Sequence, residues 1–157
     1  MTLLVESLDL TLSNRNIVKD VTLNVNPGEV VGLLGPNGAG KTSTFNMIVG
    51  LIKPNKGNIY LEGKSIKNFS MTKRVQLGIG YLPQEPSVFR NLTVIENLDI
   101  ALSQANLSKS LYRNKREELI DEFNLVSFLD RFGYQLSGGE RRRCEVARAL
   151  AVGRLGP

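Results

Sequence analysis

The chain has 157 residues, a formal net charge of +5, and 41% hydrophobic, 22% charged and 6% aromatic residues. That length allows one domain with a core of its own, and the composition is ordinary for a globular protein. With no histidine and one cysteine, Cys144, the chain excludes histidine metal centres, Ser/His or Cys/His nucleophilic pairs and an internal disulfide, and a reducing cytosol is the simpler setting.

No apolar run approaches the roughly 18–20 residues that span a bilayer. Met1 to Leu10 carries Glu6 and Asp9 without a basic stretch, unlike a secretory leader. The net charge suits an anionic partner or an ordinary basic surface. No block of like charge is long enough for a nucleic-acid arm, so no nucleic-acid partner is expected. The densest cluster is Arg141, Arg142 and Arg143, on an expected helix.

Residues 2–12 and 17–26 alternate apolar and polar, which predicts antiparallel strands with a turn near Asn14 and Asn16. Pro27-Gly28 ends that pattern. Val30 to Leu34 is a short apolar run expected as a parallel strand buried on both faces. A glycine-rich loop follows, then a helix from Lys41 to about Leu51. A turn at Pro54 to Gly57 leads into an alternating strand at 58–62 and a turn at Glu62-Gly63. Gly78 to Leu82 reads as a second short apolar strand, closed by Pro83.

From about residue 93 the period becomes helical. Thr93 and Glu96 have the spacing of a capping box, in which hydroxyl and carboxylate each serve an orphan amide. A charged helix is expected over roughly 109–123 and another from Gly138 toward Val152, with Cys144 as a small buried residue on it. Antiparallel strands, then strand–loop–helix, then a helical insert give an α/β core with two appendages.

Two segments carry chemistry. Gly35-Pro36-Asn37-Gly38-Ala39-Gly40-Lys41-Thr42 fits G-x-x-x-x-G-K-[ST], a loop whose glycines bring backbone amides onto phosphate oxygens at a helix N-terminus. Lys41 would bridge β- and γ-phosphates, Thr42 would ligate Mg²⁺ and Ser43 would donate to an inner phosphate. Leu136-Ser137-Gly138-Gly139-Glu140 fits a plain capping box. Its two glycines weaken a helix start by roughly 1 kcal/mol each, so local stability does not ask for them, whereas bare amides there suit an anion.

With both segments in place, the chain resembles the ATP-binding cassette (ABC) family. Gly35 to Thr42 resembles its Walker A loop, Leu136 to Glu140 its signature motif, and Gln84, after Tyr81-Leu82-Pro83, its Q-loop glutamine. A narrower resemblance is to the ATPases of lipopolysaccharide-export transporters. It rests on Val31 to Thr42, Gly78 to Glu85 and Leu136 to Arg143; branched-chain amino-acid transporter ATPases share much of it.

The resemblance implies a P-loop NTPase core with an antiparallel β subdomain and a helical signature subdomain, within a single partial domain divided at 1–88 and 89–152. It implies ATP and Mg²⁺ as cofactors, with Thr42 and Gln84 on the metal. It implies a second ABC subunit whose bound ATP is met by Ser137, Gly138 and Gly139. It also implies transmembrane permease subunits engaged at a groove containing Phe89 and Arg90, and a place on the cytoplasmic face of the bacterial inner membrane.

Two departures stand out. Leu12 occupies the region of the family's adenine-stacking aromatic. After the signature helix, Ala149 to Pro157 shows no strand ending in the family's aspartate and glutamate, and no switch histidine follows. Leu125 to Asp130 has the shape of such a strand but precedes the signature and is assigned to the helical insert. The expectation is a C-terminally incomplete, hydrolysis-deficient cassette of marginal stability, with Val30 to Leu34 open on one side. A non-catalytic partner or regulator, a cassette protein acting on nucleic acid or ribosomes, and a non-functional fragment stay open as alternatives.

Overall fold

A computed structural model describes residues 1–105 and 107–152. The tail Gly153 to Pro157, singled out above as unlike the family, lies outside the described residues. The chain forms two compact units, one ending at Arg74 and the other beginning at Val75.

The first unit is built on an antiparallel sheet. Strands β1 (Leu3–Leu12), β2 (Arg15–Val25), β3 (Lys56–Leu61) and β4 (Lys64–Ser65) lie in the order β2-β1-β3-β4. Both of its hairpin turns are two residues long. Ser13 and Asn14 have φ of 47° and 62°, and Glu62 and Gly63 have 50° and 72°. Consecutive positive φ values match the twist of the flanking strands. Asn16, expected near the first turn, instead sits inside β2 opposite Thr11. The alternation of β1 places Val5, Leu8 and Leu10 inside, with Val18 of β2 and Ile59 and Leu61 of β3. Helix α1 (Lys41–Val49) lies against β1 and β2 and contributes Met47, Ile48 and Val49 to the core.

At the C-terminus of α1 sits the buried Arg74, in the short helix α2 (Met71–Gln76). Its Nη1 donates to the carbonyls of Met47 at 2.8 Å and Ile48 at 2.6 Å, and Nε and Nη2 donate to Phe69 and Lys67. The guanidinium thus satisfies orphan carbonyls of the last helical turn. Burial lowers its pKa from the ordinary arginine value.

The second unit packs α3 (Val94–Ser103), α4 (Lys109–Glu122) and α5 (Gly138–Ala151) around two apolar clusters. Leu98 of α3 meets Leu125, Phe128, Leu136, Cys144 and Ala147 in one; Ala101, Leu102, Leu119 and Ala151 form the other. Leu125 to Asp130 contains a 3₁₀ turn, Val126–Phe128, whose apolar residues feed the helical core. Gly133 lies where a Cβ would press on the Phe89 carbonyl at 2.7 Å and on Val88 at 2.6 Å, so only glycine fits.

The structure corrects two expectations. Val30 to Leu34 and Gly78 to Leu82 are not strands. Val30 is 97% and Leu34 92% exposed rather than buried. An apolar run becomes a strand only when a neighbour supplies its ladder. Among the described residues, neither run pairs into a sheet.

Candidate phosphate-binding site

The Gly35–Thr42 segment forms a curled loop running straight into α1. The Ala39 amide donates back to the Pro36 carbonyl at 3.2 Å, closing the curl. Gly40 ends it at φ 84°, where a Cβ would collide with the Ile17 carbonyl of β2 and meet Val18 Cγ2 at 3.0 Å. Close approach and left-handed backbone both demand glycine there. Lys41 folds its side chain back over the loop, and its Nζ donates to the carbonyls of Gly35 at 2.6 Å and Pro36 at 2.7 Å. The ammonium is thereby held against the loop backbone.

The start of α1 differs from those of the other helices. It has no side-chain cap. Elsewhere a hydroxyl accepts from a first-turn amide: Ser70 for α2, Thr93 for α3, Ser108 for α4 and Ser137 for α5. Uncapped amides, the positive helix end and Lys41 together make an electropositive cradle for an anion. Thr42 is exposed and Ser43 half-buried, and among the described residues neither hydroxyl is bonded to protein. Thr44 is different: its buried Oγ1 donates to the Gly40 carbonyl at 3.0 Å and stitches the loop to the helix.

No group of three or more Cys, Asp or Glu side chains capable of holding a metal occurs among the described residues. In the first unit the Thr42 hydroxyl is a hard, neutral oxygen left free of protein bonds among the described residues. Such an oxygen fits Mg²⁺, which keeps most of its shell from water and phosphate and needs no all-protein cage.

The second unit carries the remaining expected site residues. Ser137 caps α5 in a full capping box: its hydroxyl and amide reach the Glu140 carboxylate at 2.8 and 2.9 Å, and the Glu140 amide returns to Ser137 Oγ at 3.4 Å. The Ser137 amide first, then its hydroxyl, hold the Glu140 carboxyl below its ordinary pKa. Leu136 is buried beneath the turn. Gly138 and Gly139 are exposed, and a Cβ on either would meet nothing within 4 Å. The fold therefore does not require glycine at these positions.

Gln84 is exposed on an irregular segment. Further along it, Phe89 is 45% exposed and has its ring 4.5 Å from the Arg148 guanidinium. Arg90 lines a cavity of about 200 Å³ with Tyr134, Arg141, Pro86, Val88 and Gly133. Asn97, Glu145 and Arg148, which hold this segment, were not among the residues expected from the sequence. Polar residues on the apolar stripe of an amphipathic helix were the available signal. Leu12 ends β1 at the hairpin tip, exposed.

A family profile described as "ABC transporter" matches residues 18–154. The lipopolysaccharide export system ATP-binding protein LptB of Haemophilus influenzae is 53% identical over 148 residues, covering 94% of this chain and 61% of that protein. This chain thus spans about three-fifths of that relative's length. Among solved structures, the ADP conformation of an ATP-binding cassette of an ABC transporter superposes with a TM-score of 0.84 at 28% identity, covering 97% of this chain and 65% of that one. A dimeric post-hydrolysis state of an ATP-binding cassette bound to ADP and Pi gives 0.78 at 28% identity, covering 95% and 69%. The chain belongs to the ABC transporter family of nucleotide-binding proteins.

Proposed function

We propose that the chain is the ATP-binding subunit of an ABC transporter that exports lipopolysaccharide, binding Mg-ATP in the first unit and a second cassette's nucleotide at the start of α5. The observation that carries the nucleotide assignment is the curled Gly35–Thr42 loop, with Lys41 folded into it and an uncapped helix behind it. The substrate follows from the name of a relative 53% identical to it.

In this proposal, amides from Gly38 to Ser43 hold the β-phosphate, and Lys41 turns from its two carbonyls to β- and γ-oxygens. Gly35, Pro36, Asn37 and Ala39 shape the curl. Thr42 would supply oxygen to Mg²⁺, which neutralises phosphate charge when bound. Leu12 offers adenine apolar contact only. The hydroxyl of Ser137 and the open amides of Gly138 and Gly139 face the γ-phosphate on a second copy, with Leu136 and Glu140 fixing the turn. The dimeric relative supports that pairing. Phe89 and Arg90 meet the transmembrane subunits. No described helix is long and apolar enough to cross a membrane, which suits a peripheral place on the cytoplasmic face of the inner membrane.

The test is titration of a fluorescent ATP analogue with Mg²⁺ against the chain and its Lys41→Ala variant. Two charge-assisted bonds disappear in the variant, so affinity is expected to fall at least about tenfold. Equal affinity in the two would remove the phosphate-loop assignment.

A further inference from the structure

Residues 83–89 form neither helix nor strand, yet their backbone is gripped by side chains at two places. At Ser87, the amide donates to Glu145 Oε1 at 2.7 Å and the carbonyl accepts from Arg148 Nη1. Glu145 and Arg148 are three residues apart on α5, one turn of the same face. At Phe89, the amide donates to Asn97 Oδ1 at 2.9 Å and the carbonyl accepts from Asn97 Nδ2 at 3.1 Å. Asn97 Nδ2 also donates to Leu92 and Thr93 carbonyls at 3.3 and 2.9 Å.

Two further contacts reinforce the grip. Arg142 Nη1 donates to the Pro83 carbonyl at 3.4 Å and lies 3.5 Å from Glu145 Oε2. The Arg148 guanidinium sits 4.5 Å from the Phe89 ring. Glu145 is 5% exposed and Asn97 fully buried. Buried polar groups of this kind are tolerated only when bonded, and here most of their bonds are spent on a loop outside their own helices.

We infer that Glu145 and Arg148 of α5 and Asn97 of α3 are positioning residues that lock the 83–90 segment to these two packed helices, so that Gln84 at one end and Phe89–Arg90 at the other shift as one body with the helix that begins at the signature turn. The inference rests on the proposed function for its purpose: it gives the nucleotide-facing and partner-facing ends of the segment a common rigid support. Its geometry is independent of that reading. None of the three residues belongs to the proposed nucleotide or partner contacts.

The experiment is native-state hydrogen exchange by NMR on the 157-residue chain and its Glu145→Ala variant. The informative amide is Phe89, because its own acceptor, Asn97, is untouched by the substitution. Local opening of the segment separately from α5 is expected, so Phe89 exchange rises about tenfold while the α5 interior amides of Val146 and Ala147 change less than about twofold. Glu145→Gln keeps an oxygen for the Ser87 amide and is expected to restore Phe89 to within about threefold.

An unchanged Phe89 rate overturns the inference. So does a parallel rise in both sets, which marks a residue that merely stabilises α5. If Glu145→Ala does not fold, Arg148→Met removes the other half of the grip and reads the same split. Nucleotide titration of the same variants separates this inference from the function proposal. Loss of Lys41-dependent binding in the parent chain would end the latter and leave the exchange result standing.

Discussion

Gly40 and Gly139 both lie at helix starts, but the fold requires only one of them. Gly40 is left-handed and packed against the Ile17 carbonyl, so Gly40→Ala is expected to destabilise the chain by about 1–3 kcal/mol, read as a lower urea midpoint. Gly139 faces open space in the first turn of α5. Gly139→Ala is expected to raise stability by up to about 1 kcal/mol while weakening any phosphate docking at that end. A stability loss in Gly139→Ala would show that the fold needs that glycine, and the case for an anion there would fall. The residue types of the phosphate loop were legible because glycine spacing reports backbone shape directly. The approach of Ile17 behind Gly40 was not, because it depends on β2 returning to the loop from 23 positions earlier in the chain.

Helix boundaries were the most legible elements, because a cap is chemistry between residues three positions apart. Thr93–Glu96 and Ser137–Glu140 both form complete boxes where the spacing predicted them. Their carboxyls titrate below the ordinary value of 4.5, each chiefly through the backbone amide of its capping residue. A depressed folded-state pKa contributes stability above the unfolded pKa and loses it as pH falls through the lower folded value. Circular dichroism between pH 7 and 3 is therefore expected to show helix loss setting in below about 4.5. The Glu96→Gln/Glu140→Gln double variant should lose less helix over that range. Superimposable acid curves would mean that these boxes do not contribute. The expected strand at Val30 to Leu34 was misjudged for the opposite reason. A run of apolar residues specifies burial, but a strand also needs a hydrogen-bonding neighbour, which its own five residues cannot supply.

At the scale of the molecule, the family and the order of its motifs were legible from short local signals, whereas the contacts that hold the 83–90 segment were not. The two contacts from α5 join residues 58 and 61 positions apart, and neither glutamate nor arginine on a helix announces such a partner. The same distinction governs stability. The first unit has a closed core between α1 and its sheet, yet Val30 and Leu34 stand almost wholly in solvent, in a segment with no ladder. Exposed apolar groups beside unpaired backbone invite association and contribute nothing to folding. The amides of Val30 to Leu34 are therefore expected to exchange near the unprotected rate, while those of Val5 and Ile59 in the sheet stay protected. A hydrophobic dye should bind the chain, and Val30→Thr/Leu34→Thr should reduce that binding without lowering the melting temperature, since neither side chain has packing to lose. The parent chain is expected to melt below about 45 °C, under the usual range for mesophile domains. A sharp two-state melt above that temperature, with protected amides at 30–34, would mean that this segment finds a partner in solution, and a second copy of the chain would be the first to test by its concentration dependence.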